Sequence, residues 1–191
     1  MKKALAIVAA VALLSFTVIK ATSWKADTVH SNFAFNIKHL GIAAFNGNFK
    51  EYTLTITGEA ADFSDAVVEL SATTASINTG NENRDKHLRT ADFFDAEKFP
   101  TFTFKSNSFK KASGNTYTVT GDLNLHGVTK PVTLTAEIVG KAVHPQSKKD
   151  MVGLKVTGTF KRSDFGIATG MPAAMLSDDV NIDGDFEFIK N

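Results

Sequence analysis

The stretch YTVTGDLNLHGVTKPVTLTAEI, Tyr117 to Ile138, decides the fold. Tyr117, Val119, Gly121, Leu123 and Leu125 alternate with Thr118, Thr120, Asp122 and Asn124. Side chains along a strand point alternately to opposite faces, so this is a half-buried strand, apolar on one side and polar on the other. His126, Gly127 and Val128 form a turn, and Pro131 opens the next strand, a position proline tolerates. There Val132, Leu134, Ala136 and Ile138 alternate with Thr133, Thr135 and Glu137.

The same period returns on both sides of this hairpin. Phe33, Phe35 and Ile37 share one face of a strand over about Ser31 to His39, and Trp24 to Thr28 leads into it. Leu54 and Ile56 share another, and 66–72 and a segment starting at Phe102 add two more. Val152 to Phe160 and Val180 to Phe188 repeat the pattern near the C-terminus. Gly41, Asn46, Gly47 and Asn48 read as turn chemistry. Val143 to Asp150 is a polar loop, and 166–179 is a long connection with Gly170 and Pro172. Loops of that length are often functional or mobile. One-faced antiparallel strands must hide their apolar faces together and must also hide their edges. Closure into a barrel does both, so the expected fold is an all-β antiparallel barrel of about eight strands.

Residues 78–99 break the period. Asn81 or Asn83 can cap a helix on which Arg84, His87, Leu88 and Ala91 share a face, and Asp92 to Lys98 then turns back, bringing Phe93, Phe94 and Phe99 together. This segment is expected to lie across one end of the barrel.

The N-terminus is a separate object. Lys2 and Lys3 precede an almost wholly apolar run from Ala4 to Ile19, and Ala21, Thr22 and Ser23 are small. That is the layout of a secretory signal peptide, so residues 1–22 are expected to be removed and 23–191 to form one domain, periplasmic or secreted. The chain has no Cys, which excludes both a thioether lipid anchor and stapling by disulfides. Of the 21 basic residues, Lys2, Lys3 and Lys20 fall in this leader, leaving 18 against 20 acidic ones and a net charge near −2. Lys110–Lys111 and Lys148–Lys149 are the longest basic runs, both in turn-like stretches. A nucleic-acid partner needs a basic face and is not expected.

No catalytic or metal-ligating set stands out. His30, His39, His87, His126 and His144 lack zinc-like spacing, no G-x-S-x-G elbow or phosphate loop occurs, and Asp183 and Asp185 alternate with apolar residues and so face water. What remains is aromatic surface, 16 Phe against one Trp and two Tyr. Phenylalanine has no polar group to satisfy, so it suits a wall that meets only hydrocarbon. Composition leaves open whether that wall encloses a packed core or a ligand. Arg84, His87 and Arg89, beside Phe93 and Phe94, match an amphiphile with a polar or acidic head; pairing with Asp85, Asp92 or Asp95 is the plainer role for each arginine.

Four motifs then resemble the YceI-like family: WKADTVHSNFAFNIKH (24–39), RDKHLRTADFFDAEKFP (84–100), GDLNLHGVTKPV (121–132) and FKRSDFG (160–166). They occur in order across the mature chain. The resemblance implies a lipocalin-like barrel in the periplasm or outside the cell, without catalytic activity or cofactor. It implies an elongated pocket for a polyisoprenoid or other long-chain, fatty-acid-like amphipathic lipid. Phe33, Phe35 and Ile37 would belong to the pocket wall, and Arg84, His87, Leu88, Phe93 and Phe94 to the segment closing it. Transient membrane contact and pairing of two copies are the partner expectations beside the lipid. Two other readings stand beside this one. One is a quinone-linked enzyme or electron-transport accessory using His87 or His30 as proton carrier. The other is a stress-protective envelope protein with a filled core.

Overall fold

The computed structural model describes residues 21–60 and 62–191, and in it the alternating residues of Tyr117–Leu125 become the inner face of a closed barrel. The strands are β1 (Thr22–Ala26), β2 (Asn32–His39), β3 (Ala43–Phe49), β4 (Tyr52–Gly58), β5 (Val67–Thr73), β6 (Ile77–Asn78), β7 (Thr101–Ser113), β8 (Thr116–Leu125), β9 (Val128–Val143), β10 (Asp150–Lys161) and β11 (Leu176–Lys190). One helix, α1, spans Glu82–Leu88. The strands pair antiparallel in the order β1-β4-β5-β7-β8-β9-β10-β11, and β11 returns to β1, which closes an eight-walled ring. β2 continues the wall begun by β1 along β11, and β3 and β6 extend β4 and β5 in the same way. Closure removes the exposed edges that the one-faced strands would otherwise carry.

Four details differ from expectation. Gly41 does sit in a turn, but Asn46, Gly47 and Asn48 lie within β3, paired with Asn36, Phe35 and Ala34. They read as a turn because the residues facing out are asparagines: Asn48 accepts from Asn78 at 2.9 Å and donates to Asn32 at 3.2 Å. The β8–β9 hairpin turns on His126 and Gly127 alone, both with positive φ (54° and 75°), so β9 starts at Val128 and Pro131 lies inside it. Pairing of β9 with β10 begins only at Leu134, so the missing proline N–H deprives no neighbour. Lys110–Lys111 stand on β7 rather than in a turn, and the long connection is shortened because β11 begins at Leu176.

The two ends of the barrel differ. At one, the first and last described strands meet: the backbone N–H of Asn191 donates to the Ser23 carbonyl at 2.8 Å. The loop between β4 and β5 plugs this end. Phe63, buried, packs 5.6 Å from Trp24, and the Tyr117 hydroxyl donates to the Asp62 carbonyl at 2.7 Å. At the other end lie the β2–β3 turn, α1 with the turn after it, and the segment from a short 3-10 turn at Arg162–Phe165 to Leu176. α1 starts as expected, with the Asn81 side chain accepting the Arg84 backbone N–H at 3.0 Å. Ala91 falls beyond its last turn. The leader assigned to 1–22 lies outside the described residues except for Ala21 and Thr22, and Thr22 already belongs to β1. No helix among the described residues is long and apolar enough to cross a membrane.

Candidate functional site: the barrel cavity

The inward-facing residues do not meet at the barrel axis. They enclose a cavity of about 350 Å³. Among the phenylalanines of the described residues, only Phe63, Phe99 and Phe165 do not line it. On the evenly paired part of β11, beyond the irregularity after Leu176, the lining runs from Val180 to Phe188. Eight residues at about 3.3 Å each, tilted as barrel strands are, advance about 20 Å along the axis, so the cavity is a tube.

Inward-facing glycines keep the tube open. Gly47 stands opposite Phe35 in register, and a Cβ there would meet the Phe35 ring at 2.5 Å. Gly184 does the same for Phe186, whose ring occupies the space a Cβ would need. Each ring therefore lies along the wall instead of projecting into the lumen. The rings brace one another: Phe33–Phe49 and Phe35–Phe49 centroids are 5.6 Å apart, Phe49–Phe102 4.7 Å and Phe49–Phe94 6.1 Å, tilted or edge-on as aromatic pairs prefer.

Polar groups gather at the open end. The Arg84 Nε donates to Thr79 Oγ1 (2.7 Å) and its Nη2 to the Thr79 carbonyl (2.9 Å), while its guanidinium lies 4.7 Å over the Phe45 ring. Thr79 is held in turn by the buried Asp85, which accepts from its backbone N–H and its hydroxyl. Arg89 donates to the carbonyls of Ala75 and Ile77. Both arginines thus hold backbone and hydroxyl oxygens, and neither makes the carboxylate pair expected of it. His87 lies 3.3 Å from an Asp92 oxygen and meets Phe93 edge-on at 4.9 Å. A second hollow opens beside it, between 87–93 and 166–171, and shares His87, Phe93 and Met171 with the tube.

All eight residues singled out in the sequence line this one cavity: Phe33, Phe35 and Ile37 on its wall, and Arg84, His87, Leu88, Phe93 and Phe94 at its open end. His30 does not; it is exposed on the outside, 2.8 Å from Asp27. That hydrogen bond raises the His30 pKa and lowers that of Asp27. Asp183 and Asp185 face water and share Lys155. No cluster of three metal-ligating side chains occurs among the described residues.

Sequence reasoning missed the residue that organises the open end. Arg162 is 4 % exposed, and its five N–H groups are all taken by backbone carbonyls. Nε donates to Ser177 (3.1 Å), Nη1 to Ile167 (3.0 Å) and Ala168 (2.5 Å), and Nη2 to Met171 (2.7 Å) and Leu176 (3.1 Å). One side chain thereby pins the whole 167–177 segment over the barrel, and Ile167, Met171, Met175 and Leu176 of that segment line the cavity. The only sequence signal was an arginine closing a strand, in FKRSDFG.

Residues 24–188 match the model of the YceI-like domain family. Protein YceI of Escherichia coli O157:H7 is 39% identical over 153 residues, covering 80% of this chain and 79% of that protein. A UPF0312 protein of Staphylococcus aureus (strain MW2) is 33% identical over 171 residues, 87% of this chain and 97% of that protein. The crystal structure of the Campylobacter jejuni YceI protein superposes with a TM-score of 0.73 at 36% identity, covering 86% of this chain and 96% of that one. A polyisoprenoid binding domain from Saccharophagus degradans shares the fold at a TM-score of 0.62 and 18% identity, covering 88% and 98%.

Proposed function

Because the chain belongs to the YceI-like family, we propose that it is a binding protein whose barrel holds a polyisoprenoid or another long-chain amphipathic lipid, in the periplasm or outside the cell. The observation that carries this reading is the tube itself: about 350 Å³, long, walled by phenylalanine and aliphatic residues, and polar only at one end. That volume is within the range of small-molecule pockets, about 300–1,000 Å³. A filled-core structural protein has no use for glycines that hold rings back from the axis. The polyisoprenoid binding domain that shares the fold is consistent with the same cargo.

The mechanism is desolvation. Each CH₂ moved from water into the tube contributes about 0.8 kcal/mol, so a long tail supplies the driving force with few polar contacts. Arg84 and His87, at the open end, would set the orientation of the head. Arg84 spends two of its donors on Thr79, which leaves the tail dominant. Of the two proton carriers weighed for a quinone-linked reaction, His87 lines the cavity and His30 lies away from it.

Native mass spectrometry of protein recovered from its own host, with release of any bound mass, tests the reading. A stoichiometric prenyl or acyl species supports it. Protein that stays bare after challenge with a lipid extract overturns it. Phe35→Asp should weaken binding of such a lipid more than Arg84→Ala; equal or reversed losses in folded protein contradict a tail-driven account.

A further inference from the structure

Six large apolar side chains stand exposed among the described residues, and three of them meet at the open end: Leu40 (51 % exposed), Ile42 (87 %) and Met175 (47 %). Leu40 and Ile42 flank the tip of the β2–β3 hairpin, and the Leu40 backbone N–H donates to the Met175 carbonyl at 2.8 Å, which ties that tip to the 166–176 segment. Neither tip carries a charged side chain: there is none between Lys38 and Lys50, and none from Phe165 to Ser177. In sequence, the charge that precedes the hairpin tip is Lys38, exposed on β2, of the sign that anionic lipid surfaces attract.

The turn at this tip is built against its own local preference. Leu40 and Gly41 both have positive φ (52° and 70°), and the Ile42 N–H closes the turn onto the His39 carbonyl at 3.2 Å. The first of these positions favours Asn, Asp or Gly, and a leucine there carries backbone strain. The turn thus presents an apolar side chain to water where an asparagine would be more stable. The patch is also continuous with the cavity. Met175 belongs to both, and Met171 lines the tube and the hollow beside His87.

We propose that these two tips are a membrane-docking surface: the barrel sets its open end down on an anionic bilayer, Leu40 and Ile42 enter the interface, and a lipid passes between bilayer and tube beside 87–93 and 166–171 without crossing water. This rests on the lipid-cargo reading for its purpose but has its own test. The superposition with the Campylobacter jejuni crystal chain covers 86% of this chain and 96% of that one, so residues 21–191 are a fair test protein.

The experiment is sedimentation of residues 21–191 with vesicles of phosphatidylethanolamine and phosphatidylglycerol, against L40D/I42D and against V139D/V143D, which alters exposed valines on β9. The expected result is at least a tenfold loss of vesicle binding in L40D/I42D and less than a twofold change in V139D/V143D. Leu40 and Ile42 do not line the cavity, so uptake of a fluorescent polyene fatty acid from solution should be unchanged in L40D/I42D. Wild-type protein that takes up the probe but ignores vesicles overturns docking and leaves the cargo reading standing. Vesicle binding without uptake of the probe upholds docking and tells against the cargo reading. Equal losses in both double variants overturn the assignment to this end. A wild type that ignores vesicles, and sediments as a dimer that L40D/I42D converts to monomer, gives the surface to a second copy and overturns it too.

Discussion

Arg162→Met removes the five hydrogen bonds that hold residues 167–177, and keeps a flexible apolar stem in their place. A hydrogen bond to a charged group is worth about 1.5–3 kcal/mol net, but five on one guanidinium are one unit and do not add. Methionine also recovers the desolvation that a buried cation costs, while the carbonyls left behind lose their partner. Each buried carbonyl left without a donor costs about 1–3 kcal/mol, so with several of the five stranded and the desolvation recovered the net loss is about 3–5 kcal/mol. At about 2–4 °C per kcal/mol for a domain of this size, the thermal midpoint should fall by about 6–20 °C. Circular dichroism measures the midpoint, and hydrogen exchange of 166–177 locates the loss. Arg162→Lys separates charge from shape: lysine keeps the charge but cannot reach five carbonyls fanned around one plane, so it should recover less than half of the difference. A Met variant within about 2 °C of wild type with unchanged protection of 166–177, or a lysine variant as stable as arginine, would refute the pinning role.

Other outcomes follow from the same geometry. Gly184→Val should force the Phe186 ring off the wall and into the tube, costing about 1–3 kcal/mol and shortening the longest tail that binds; undiminished binding across a tail-length series would show that the ring has another place to go. The Asp27–His30 pair should stabilise weakly and only in a pH window. Asp27, lowered chiefly by its hydrogen bond to His30, contributes above its ordinary 3.8 and loses that contribution as pH falls through its depressed pKa. His30, raised chiefly by the same bond, contributes fully below its ordinary 6.5 and loses it as pH rises through the elevated value. The difference in midpoint between wild type and His30→Gln should therefore be largest between those values and shrink on both sides; a flat difference from pH 4 to 9 would rule the pair out.

The strands were legible because their alternation is chemical, and α1 because Asn81 stands where a cap must stand. β3 was not, because its outer face is an asparagine ladder and its inner face includes a glycine matched to Phe35, a combination that in a sequence looks like a turn. The gathering of Phe33, Phe93 and Phe94 was legible as well, but not the space between them. A packed core and a lined tube use the same phenylalanines, and the difference lies in how Gly47 and Gly184 let the rings lie. Arg162 was hidden for another reason. Its partners are backbone carbonyls, which carry no residue identity.

The meeting of β1 with the end of β11 at the plugged end has a practical consequence for handling the molecule. Ser23 and Asn191 are joined by two hydrogen bonds, at 2.8 Å between backbones and 3.0 Å between side chains. The 144–149 loop emerges at the same end, where Asp150 pairs with Lys190. In a version that begins at residue 21, a short linker could therefore splice that start to residue 191 and the chain could be reopened in that loop, giving a circular permutant with every strand of the ring intact. An affinity tag or surface tether on either version would hold the barrel by its base, with its aperture free to face whatever is offered to it.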